Sequence, residues 1–221
     1  IIDVGGYSSR PGADVIPINE EIKRVTQAID SILKEFPNTI ISMDTFNAEV
    51  AKAAMLCGAN IINDISAGEL DPQMFPLIVK TKAPYIMMHM KGNPKNMQSH
   101  TSYDNIISEM MDYFISKVNH LKSHGVPDII IDPGFGFAKT TEQNFEILQK
   151  LSYLKGLGLP LLVGVSRKSM IYKTLETSAK NALNGTSVLN TIALMNGAQI
   201  LRVHDVKEAM ECIQLYKTTY N

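Results

Sequence analysis

Short, wholly apolar segments alternate with amphipathic ones along the whole chain. Seven of the apolar segments have the length of a β-strand, and each of the seven is followed by a polar or charged group. Strands without polar alternation are buried on both faces, which is typical of a parallel sheet covered by helices. The sequence therefore predicts an α/β fold made of repeated strand–helix units.

The apolar periodicity also predicts where these elements lie. The predicted strands cover residues 1–4, 39–43, 60–63, 83–88, 128–131, 161–163 and 199–201. The predicted helices cover residues 19–36, 47–57, 71–80, 103–123, 142–154, 179–195 and 206–216. Asn19 is the predicted N-cap of the first helix, because an Asn side chain accepts hydrogen bonds from free helix amides.

The position of the polar residues separates two kinds of parallel sheet. A doubly wound sheet concentrates its chemistry at one switch point, whereas a barrel distributes it over the carboxyl ends of all its strands. Here every predicted strand ends in such groups, namely Asp3, Asp44, Asn63 with Asp64, His89, Asp132, Ser166 with Arg167, and Arg202 with His204. No GxGxxG motif follows any strand. We therefore predict a (β/α)8 TIM barrel, with seven of its eight βα units in a single domain, residues 1–221.

Charge and cysteine content limit the possible partners. The formal net charge is −1, so there is no broad basic surface for nucleic acid or an anionic membrane, and a small molecule is the expected partner. The two cysteines, Cys57 and Cys212, form no CxxC or Cys/His motif, which argues against a disulfide framework or a zinc site. No apolar run approaches the roughly 18 residues that span a bilayer. A reducing, cytoplasmic location is expected.

Asp44, Asn63 and Asp132 each follow a different strand and would meet over the mouth of a barrel. Their oxygens can ligate a metal, act as a base or accept hydrogen bonds from a substrate. The alternative for each is helix capping, although Asp132 begins an Asp-Pro-Gly-Phe-Gly-Phe segment and does not directly precede a helix. Phe135 and Phe137 of that segment either line a flat ligand or fill the top of the barrel.

Cationic residues gather after the first strand and the last two strands. Arg10 lies in a glycine-rich loop, and its planar guanidinium suits phosphate or carboxylate, although a solvated Arg is an equal alternative. Lys168, Arg202 and His204 follow the last two strands, where barrels usually bind phosphate. For Arg167 we expect solvation, and for Asp205 capping of the final helix.

Seven segments, in order, resemble dihydropteroate synthases. They are Asp3-Val4-Gly5-Gly6-Tyr7-Ser8-Ser9-Arg10-Pro11-Gly12, Ser42-Met43-Asp44-Thr45, Ile62-Asn63-Asp64-Ile65, Met88-His89-Met90-Lys91-Gly92-Asn93-Pro94, Asp132-Pro133-Gly134-Phe135-Gly136-Phe137, Gly164-Val165-Ser166-Arg167-Lys168-Ser169 and Arg202-Val203-His204-Asp205-Val206. The short Asn-Asp-Ile match is weak by itself, but the ordered set is specific.

The resemblance implies a transferase of folate biosynthesis. It implies condensation of 6-hydroxymethyl-7,8-dihydropterin diphosphate with p-aminobenzoate to 7,8-dihydropteroate and pyrophosphate, by a dissociative mechanism that Mg²⁺ assists. Implied pterin-binding residues are Asp44, Asn63, Ile65, Met90, Asp132, Phe137, Gly164 and Lys168. Implied p-aminobenzoate-binding residues are Ser9, Arg10, Pro11, Phe137, Ser166 and Lys168. Arg10, Arg202 and His204 would bind the diphosphate, and these three with Lys168 would be catalytic.

The same resemblance implies sulfonamide inhibitors and a homodimer. The family usually has Thr at the position of Ser9, so we expect altered packing beside p-aminobenzoate. The family's opening strand, whose loop contributes an Asn to the Mg²⁺ and diphosphate site, has no counterpart here. We therefore predict no metal ligand in this chain and about 40 further N-terminal residues in the natural protein, because a barrel needs roughly 250 residues.

Two other functions remain open from the sequence. One is a corrinoid-dependent methyltetrahydrofolate methyltransferase, which would share the pterin pocket but has no use for the Ser-Arg-Pro-Gly and Ser-Arg-Lys-Ser loops. The other is a catalytically silent pterin-binding module. Pyrophosphate release that depends on p-aminobenzoate distinguishes the three functions.

Overall fold

The computed structural model describes residues 1–7 and 16–220. Ser9, Arg10 and Pro11, three of the predicted site residues, lie outside the described residues. Within the described part of the chain, seven strands alternate with eight α-helices, and both α6 and α7 follow β6. The predicted repetition of strand–helix units is confirmed.

The strands are β1 Ile2–Gly5, β2 Ile41–Asp44, β3 Ile61–Asp64, β4 Tyr85–Met88, β5 Ile129–Asp132, β6 Leu162–Val163 and β7 Ile200–Leu201. The helices are α1 Ile18–Glu35, α2 Ala48–Leu56, α3 Met74–Thr81, α4 Ile106–Ser123, α5 Thr141–Gln149, α6 Ser169–Thr174, α7 Leu183–Met195 and α8 Val206–Tyr220. Short 3₁₀ helices cover Met97–Ser99, Leu151–Leu157 and Ala179–Asn181.

Local chemistry explains where the helix predictions differ from the structure. Asn19 is not an N-cap, because α1 begins at Ile18 directly after Pro17, whose fixed φ and missing N–H suit a helix start. Asn47 does cap α2, and its side chain accepts hydrogen bonds from the amides of Glu49 and Val50. The sequence pattern missed α6, which has only six residues.

Contacts divide the chain into two compact units. The first comprises Ile1–Asn96 and Ser116–Ile130. Its strands β1 to β4 are parallel neighbours, with Gly5 beside Asp44 and Asp44 beside Asn63. Its core is formed where α1 and α2 cover β1 and β2, through the buried side chains of Val4, Val25, Ile29, Ile41, Met43, Val50 and Ala54. The register brings the carboxyl ends of these strands to one edge.

The second unit comprises Met97–Ile115 and Ile131–Asn221. Ile131 of β5 forms a parallel bridge with Leu161, and β6 pairs in parallel with β7. Helices α7 and α8 pack against each other. Asp132 and Arg202 therefore each lie at or just after the end of a strand, as the sequence predicts.

Strand order follows chain order throughout. The larger sheet has the order β1–β2–β3–β4–β5, and the smaller one has the order β6–β7. A doubly wound sheet would reverse this order at its switch point, so that alternative is excluded for the described strands. None of the described helices is long and apolar enough to span a membrane. The prediction of one domain over residues 1–221 stays a prediction.

Candidate active site

A partly buried ion pair joins the ends of β5 and β7. Asp132 has an almost completely buried side chain, and its Oδ2 accepts a hydrogen bond from Arg202 Nη2 at 2.9 Å. Its Oδ1 accepts one from the amide of Gly134 at 2.7 Å. An ionised carboxylate has about four acceptor positions, so each oxygen keeps roughly one for a ligand. The predicted pairing of Asp132 with a donor-rich substrate edge is compatible with this geometry.

Gly164 provides the space that the Arg202 guanidinium occupies. A Cβ built at Gly164 would lie 3.2 Å from both Nε and Nη2 of Arg202, which is closer than most Cβ contacts. The backbone amide of Arg202 donates to the carbonyl of Val163, so the arginine is fixed at the strand end. Gly164 therefore leaves room for the Arg202 side chain. The sequence predicted only that Gly164 lies beside the pterin.

Lys168 lies at the N-cap position of α6, close to the Asp132–Arg202 pair. Its Nζ donates a hydrogen bond to the carbonyl of Phe135 and lies 5.0 Å from the centre of the Phe137 ring. Burial and, to a lesser extent, the positive charge of Arg202 together lower the pKa of Lys168 to about 7, although the negative charge of Asp132 opposes the shift. Lys168 can therefore lose its proton near neutral pH.

The loop after β5 is held by two residues that the sequence pattern did not reveal. Lys139 is buried, and its ammonium donates to the carbonyls of Gly134 at 3.0 Å and Phe137 at 2.8 Å. Asn144 is also buried, and its Oδ1 accepts from the amide of Gly136 at 2.7 Å. The Ala138-Lys139-Thr140 sequence gave no periodic signal for these contacts, because they depend on how the loop folds back on itself.

The two phenylalanines of this loop have different environments. Phe135 is fully buried and belongs to the core, whereas Phe137 is partly exposed beside Lys168. Of the two roles that the sequence allowed, core filling therefore applies to Phe135. Phe137 is only partly buried, so contact with a flat ligand stays a prediction for this residue.

The segment before α4 packs on the same loop. Gln98 donates to the carbonyl of Gly136 at 3.2 Å, and the Tyr103 hydroxyl donates to the carbonyl of Ala138 at 2.9 Å. Burial raises the pKa of Tyr103, which keeps this hydroxyl protonated as a donor. These contacts add to those of Lys139 in fixing the loop that carries Phe137.

Ser166 and His204 join the loops that follow β6 and β7. The Ser166 hydroxyl and His204 Nδ1 are hydrogen-bonded at 2.9 Å, and the backbone amide of His204 donates to the same hydroxyl at 3.3 Å. Both residues are predicted site residues, the first for p-aminobenzoate and the second for diphosphate. The structure brings them into direct contact.

The expectation that Arg167 is solvated is wrong, whereas capping of α8 by Asp205 stays a prediction. Arg167 is not solvated, because its Nε and Nη2 each donate to an oxygen of Asp205 at 2.8 Å. Both carboxylate oxygens of Asp205, which directly precedes α8, accept from Arg167. An ion pair between two loops cannot be read from either loop's sequence alone.

In the first unit, Asn63 is completely buried at the end of β3. Its Nδ2 donates to Asp3 Oδ2 at 3.0 Å, while its Oδ1 is buried and has no partner among the described residues. An unsatisfied buried acceptor costs free energy unless a ligand supplies a donor. Asp44 lies beside Asn63 in the strand register, as predicted for two residues of one site.

Ile65 and Met90, the other two predicted pterin-binding residues of this unit, are both buried. Ile65 follows Asp64, a buried carboxylate that accepts hydrogen bonds from the Ser66 amide and hydroxyl and from the Tyr85 hydroxyl. Burial raises the pKa of Asp64, and these hydrogen bonds counteract the increase. The turn that carries Ile65 is thus fixed by a polar network that the sequence did not reveal.

Comparison with known proteins identifies the family. The family model of pterin-binding enzymes matches residues 1–204. Dihydropteroate synthase from Synechocystis sp. is 46% identical over 213 residues, which cover 95% of this chain and 73% of that protein. The Escherichia coli K12 dihydropteroate synthase is 40% identical over 221 residues, 99% of this chain and 78% of that protein.

A solved structure gives the same result. The Yersinia pestis dihydropteroate synthase in complex with a sulfonamide drug superposes with a TM-score of 0.94 at 38% identity, over 99% of this chain and 79% of that one. Fold and site together define a pterin-binding enzyme of the TIM-barrel class. The chain belongs to the dihydropteroate synthase family, whose members are transferases of folate biosynthesis.

Proposed function

We propose that Asp132, Lys168, Arg202 and His204 carry the transferase reaction of this family. In that reaction, 6-hydroxymethyl-7,8-dihydropterin diphosphate and p-aminobenzoate give 7,8-dihydropteroate and pyrophosphate. The observation that supports this assignment most strongly is the 2.9 Å pair between the buried Asp132 and the partly exposed Arg202, with the Lys168 ammonium near it. Neighbouring side chains would then provide an acceptor for the pterin and a donor for an anion.

Asp132 would recognise the pterin. The aminopyrimidinone edge of a pterin presents adjacent N–H donors, and a carboxylate binds such a pair through two charge-assisted hydrogen bonds. The partly exposed ring of Phe137 would contact the flat pterin ring, and Lys168 would donate to a pterin oxygen or nitrogen. Pterin contacts by Asp44, Asn63, Ile65, Met90 and Gly164 stay predictions, supported for Asn63 by its unpartnered Oδ1.

Arg202 and His204 would stabilise the departing diphosphate. In a dissociative mechanism the bond between the pterin methylene carbon and oxygen breaks first, and both electrons leave with the pyrophosphate. Charged donors that face the oxygens where this charge develops lower the barrier. The neutral amine of p-aminobenzoate then bonds to the methylene carbon. The acidic ammonium formed releases its proton to water or to the departing pyrophosphate, so no strong general base is required. Arg10 remains a further predicted donor.

The resemblance to dihydropteroate synthases implies that Mg²⁺ assists the reaction. Among residues 1–7 and 16–220, no three His, Cys, Asp or Glu side chains are grouped closely enough to hold a metal ion. Mg²⁺ commonly keeps several waters and binds through substrate phosphates. We therefore propose Mg²⁺ as a companion of the diphosphate, and the roles of Arg202 and His204 do not depend on it.

The site for p-aminobenzoate is proposed from Ser9, Arg10, Pro11, Phe137, Ser166 and Lys168. Among these, the structure describes Phe137, Ser166 and Lys168, all in the second unit. The Ser166 hydroxyl contacts His204, which would link the binding of p-aminobenzoate to the diphosphate residue. The sulfonamide complex of the Yersinia pestis relative supports the proposal that sulfonamides compete at this site.

A pyrophosphate-release assay tests the function. The full chain is mixed with the pterin diphosphate, with and without p-aminobenzoate, and pyrophosphate and dihydropteroate are measured. We expect both products only when p-aminobenzoate is present. Methyl transfer from methyltetrahydrofolate to a corrinoid protein without pyrophosphate would instead support the methyltransferase, and pterin binding without turnover would support the silent module.

Ionisation of Lys168 should make the stability of the protein depend on pH. The pKa is about 7 in the folded state and 10.5 for an unperturbed lysine. Between these values the unfolded chain binds a proton that the folded protein has lost, so this group makes the free energy of unfolding increase as pH rises. Below the pKa of the folded state, Lys168 is charged in both the folded and the unfolded state. The free energy of unfolding is then reduced by the full cost of burying the charged ammonium.

Chemical denaturation of wild type and Lys168→Met at about pH 7 and about pH 9.5 measures this effect. The wild type should gain more free energy of unfolding than the variant over that interval. Lys173→Met, which removes an exposed lysine of α6, serves as the control and should retain the wild-type gain. Equal gains in wild type and Lys168→Met would contradict the lowered pKa.

We also propose that the chain forms a homodimer in the cytoplasm, with helices α7 and α8 at the interface. Large apolar side chains on these two packed helices are exposed, namely Val188, Met195, Met210, Leu215 and Tyr220. Contiguous exposed apolar surface marks interaction sites, and a two-fold axis lets one such patch cover its own copy.

Leu215→Lys should convert this dimer into a monomer. Leu215 is 69% exposed on α8, and a second copy would have to bury the introduced charge. Light scattering coupled to size-exclusion chromatography measures the mass. Leu56→Lys, at an 81% exposed leucine of α2, is the matched control and should remain dimeric. A wild type that is monomeric at high concentration contradicts the proposal.

A further inference from the structure

We propose that Arg167 and Asp205 form a positioning clamp that holds Lys168 and His204 in their working geometry. The proposal rests on the function proposed above. Neither residue of the clamp is proposed to touch substrate. Arg167 would act through its neighbour Lys168 on the loop after β6. Asp205 would act through its neighbour His204 on the loop after β7.

The contacts between these loops form two consecutive pairs. Ser166 is hydrogen-bonded to His204, and the next residues along each loop, Arg167 and Asp205, form the bidentate ion pair. Two parallel N–H···O bonds fix both distance and orientation, which a single contact does not. The ion pair therefore fixes the position of one loop relative to the other next to His204, on the loop that follows β7.

The backbone conformation of Arg167 indicates that surrounding contacts fix the loop after β6. Arg167 has φ = 51°, in the left-handed region that a residue with a side chain rarely adopts. Such a conformation persists only when surrounding contacts impose it. At Arg167 these contacts are the pair with Asp205, a hydrogen bond from its amide to Thr186 Oγ1, and bonds from Nη1 to the carbonyls of Ala179 and Lys180.

The left-handed turn at Arg167 determines how the chain enters Lys168. The amide of Lys168 donates to the carbonyl of Val165, which closes the turn, and α6 begins at the following residue. The Lys168 ammonium thereby contacts the Phe135 carbonyl and lies near Phe137. If Arg167 relaxed to an ordinary backbone conformation, Lys168 would move away from that contact.

The electrostatics agree with a persistent pair. Both side chains are only about one-fifth exposed, at 23% for Arg167 and 20% for Asp205. The hydrogen bonds from Arg167 lower the pKa of Asp205, and those to Asp205 raise the pKa of Arg167. The pair therefore stays ionised over the pH range in which the transferase would be assayed.

A double-mutant cycle tests the clamp. Arg167→Met, Asp205→Asn and the double variant are compared with wild type by kcat and KM for both substrates and by thermal unfolding. Each single variant should lower kcat/KM by roughly 10- to 100-fold, mainly through kcat, which is the scale for misplaced catalytic groups. The double variant should be no worse than the poorer single variant, because both substitutions break the same contact.

Two further variants separate positioning from general structure. Arg167→Lys keeps the charge and loses the planar fork, so it should recover only part of the activity. The exposed pair Lys150–Glu146 of the same unit is the matched control, and Glu146→Gln should leave kcat and KM unchanged.

The outcomes distinguish the clamp from the function itself. An active wild type with unchanged single variants, or with single effects that simply add, overturns the clamp. So do losses of activity that match only the fraction unfolded at the assay temperature. A wild type that releases no pyrophosphate contradicts the proposed function instead, and the same clamp is then judged by pterin affinity in the four proteins.

Discussion

Arg202→Ala is expected to lower turnover by roughly 10²-fold or more, the scale for losing one donor that stabilises developing charge. Arg202 would contact the departing diphosphate, and it also pairs with Asp132, which is almost fully buried. The substitution therefore removes charge stabilisation and leaves a buried carboxylate without its cation. The measurement is the steady-state rate of pyrophosphate release at saturating substrates.

Two further variants make this result interpretable. Arg202→Lys keeps the positive charge but cannot reproduce the guanidinium geometry, so it should be intermediate if the protein folds, which circular dichroism establishes. Lys150→Ala removes an exposed cation that is paired with Glu146 and should turn over as wild type does. Turnover by folded Arg202→Ala at the wild-type rate would eliminate the proposed role.

Asp132→Asn is expected to weaken pterin binding by roughly 10²-fold, the scale for losing charge-assisted hydrogen bonds. The amide keeps the shape of the carboxylate, but it offers one acceptor oxygen where the pterin requires two adjacent acceptors. Its NH₂ group would face either the pterin donors or the Arg202 guanidinium. Isothermal titration of a pterin ligand measures the loss.

The control for this variant is Asp128→Asn, which neutralises an exposed carboxylate just before β5. That protein should bind pterin with wild-type affinity. If Asp132→Asn also bound the pterin as tightly as wild type, the pterin edge would have to be recognised by another residue.

The repeating architecture was predictable because it depends on local patterns. Buried parallel strands are continuous apolar runs, and all seven of them were located within two residues or so of their observed bounds. The helix α6 was missed because six residues are too few to show a 3.6-residue period. The helix α1 starts after Pro17 and not after Asn19, because two helix-start signals lie only two residues apart.

The candidate site was predictable only where chemistry and strand ends coincide. Asp132 ends a strand, and Lys168 and Arg202 follow strands, so the topology brings the three together, and the structure places them in contact or close to one another. Lys139 and the Arg167–Asp205 pair were not found in this way. Lys139 contacts backbone carbonyls, and Arg167 and Asp205 contact each other across two loops. Contacts of these two kinds cannot be recognised from a local sequence pattern.

The most direct test of the account is the stoichiometry of the reaction catalysed by the full chain. Wild type and Arg202→Ala are incubated with the pterin diphosphate and p-aminobenzoate, and both products are quantified by mass spectrometry and a phosphate assay. The account predicts equal amounts of 7,8-dihydropteroate and pyrophosphate from wild type and a strong reduction of both in the variant. Pyrophosphate released at the same rate without p-aminobenzoate, or no product from a folded wild-type protein that binds pterin, would contradict it.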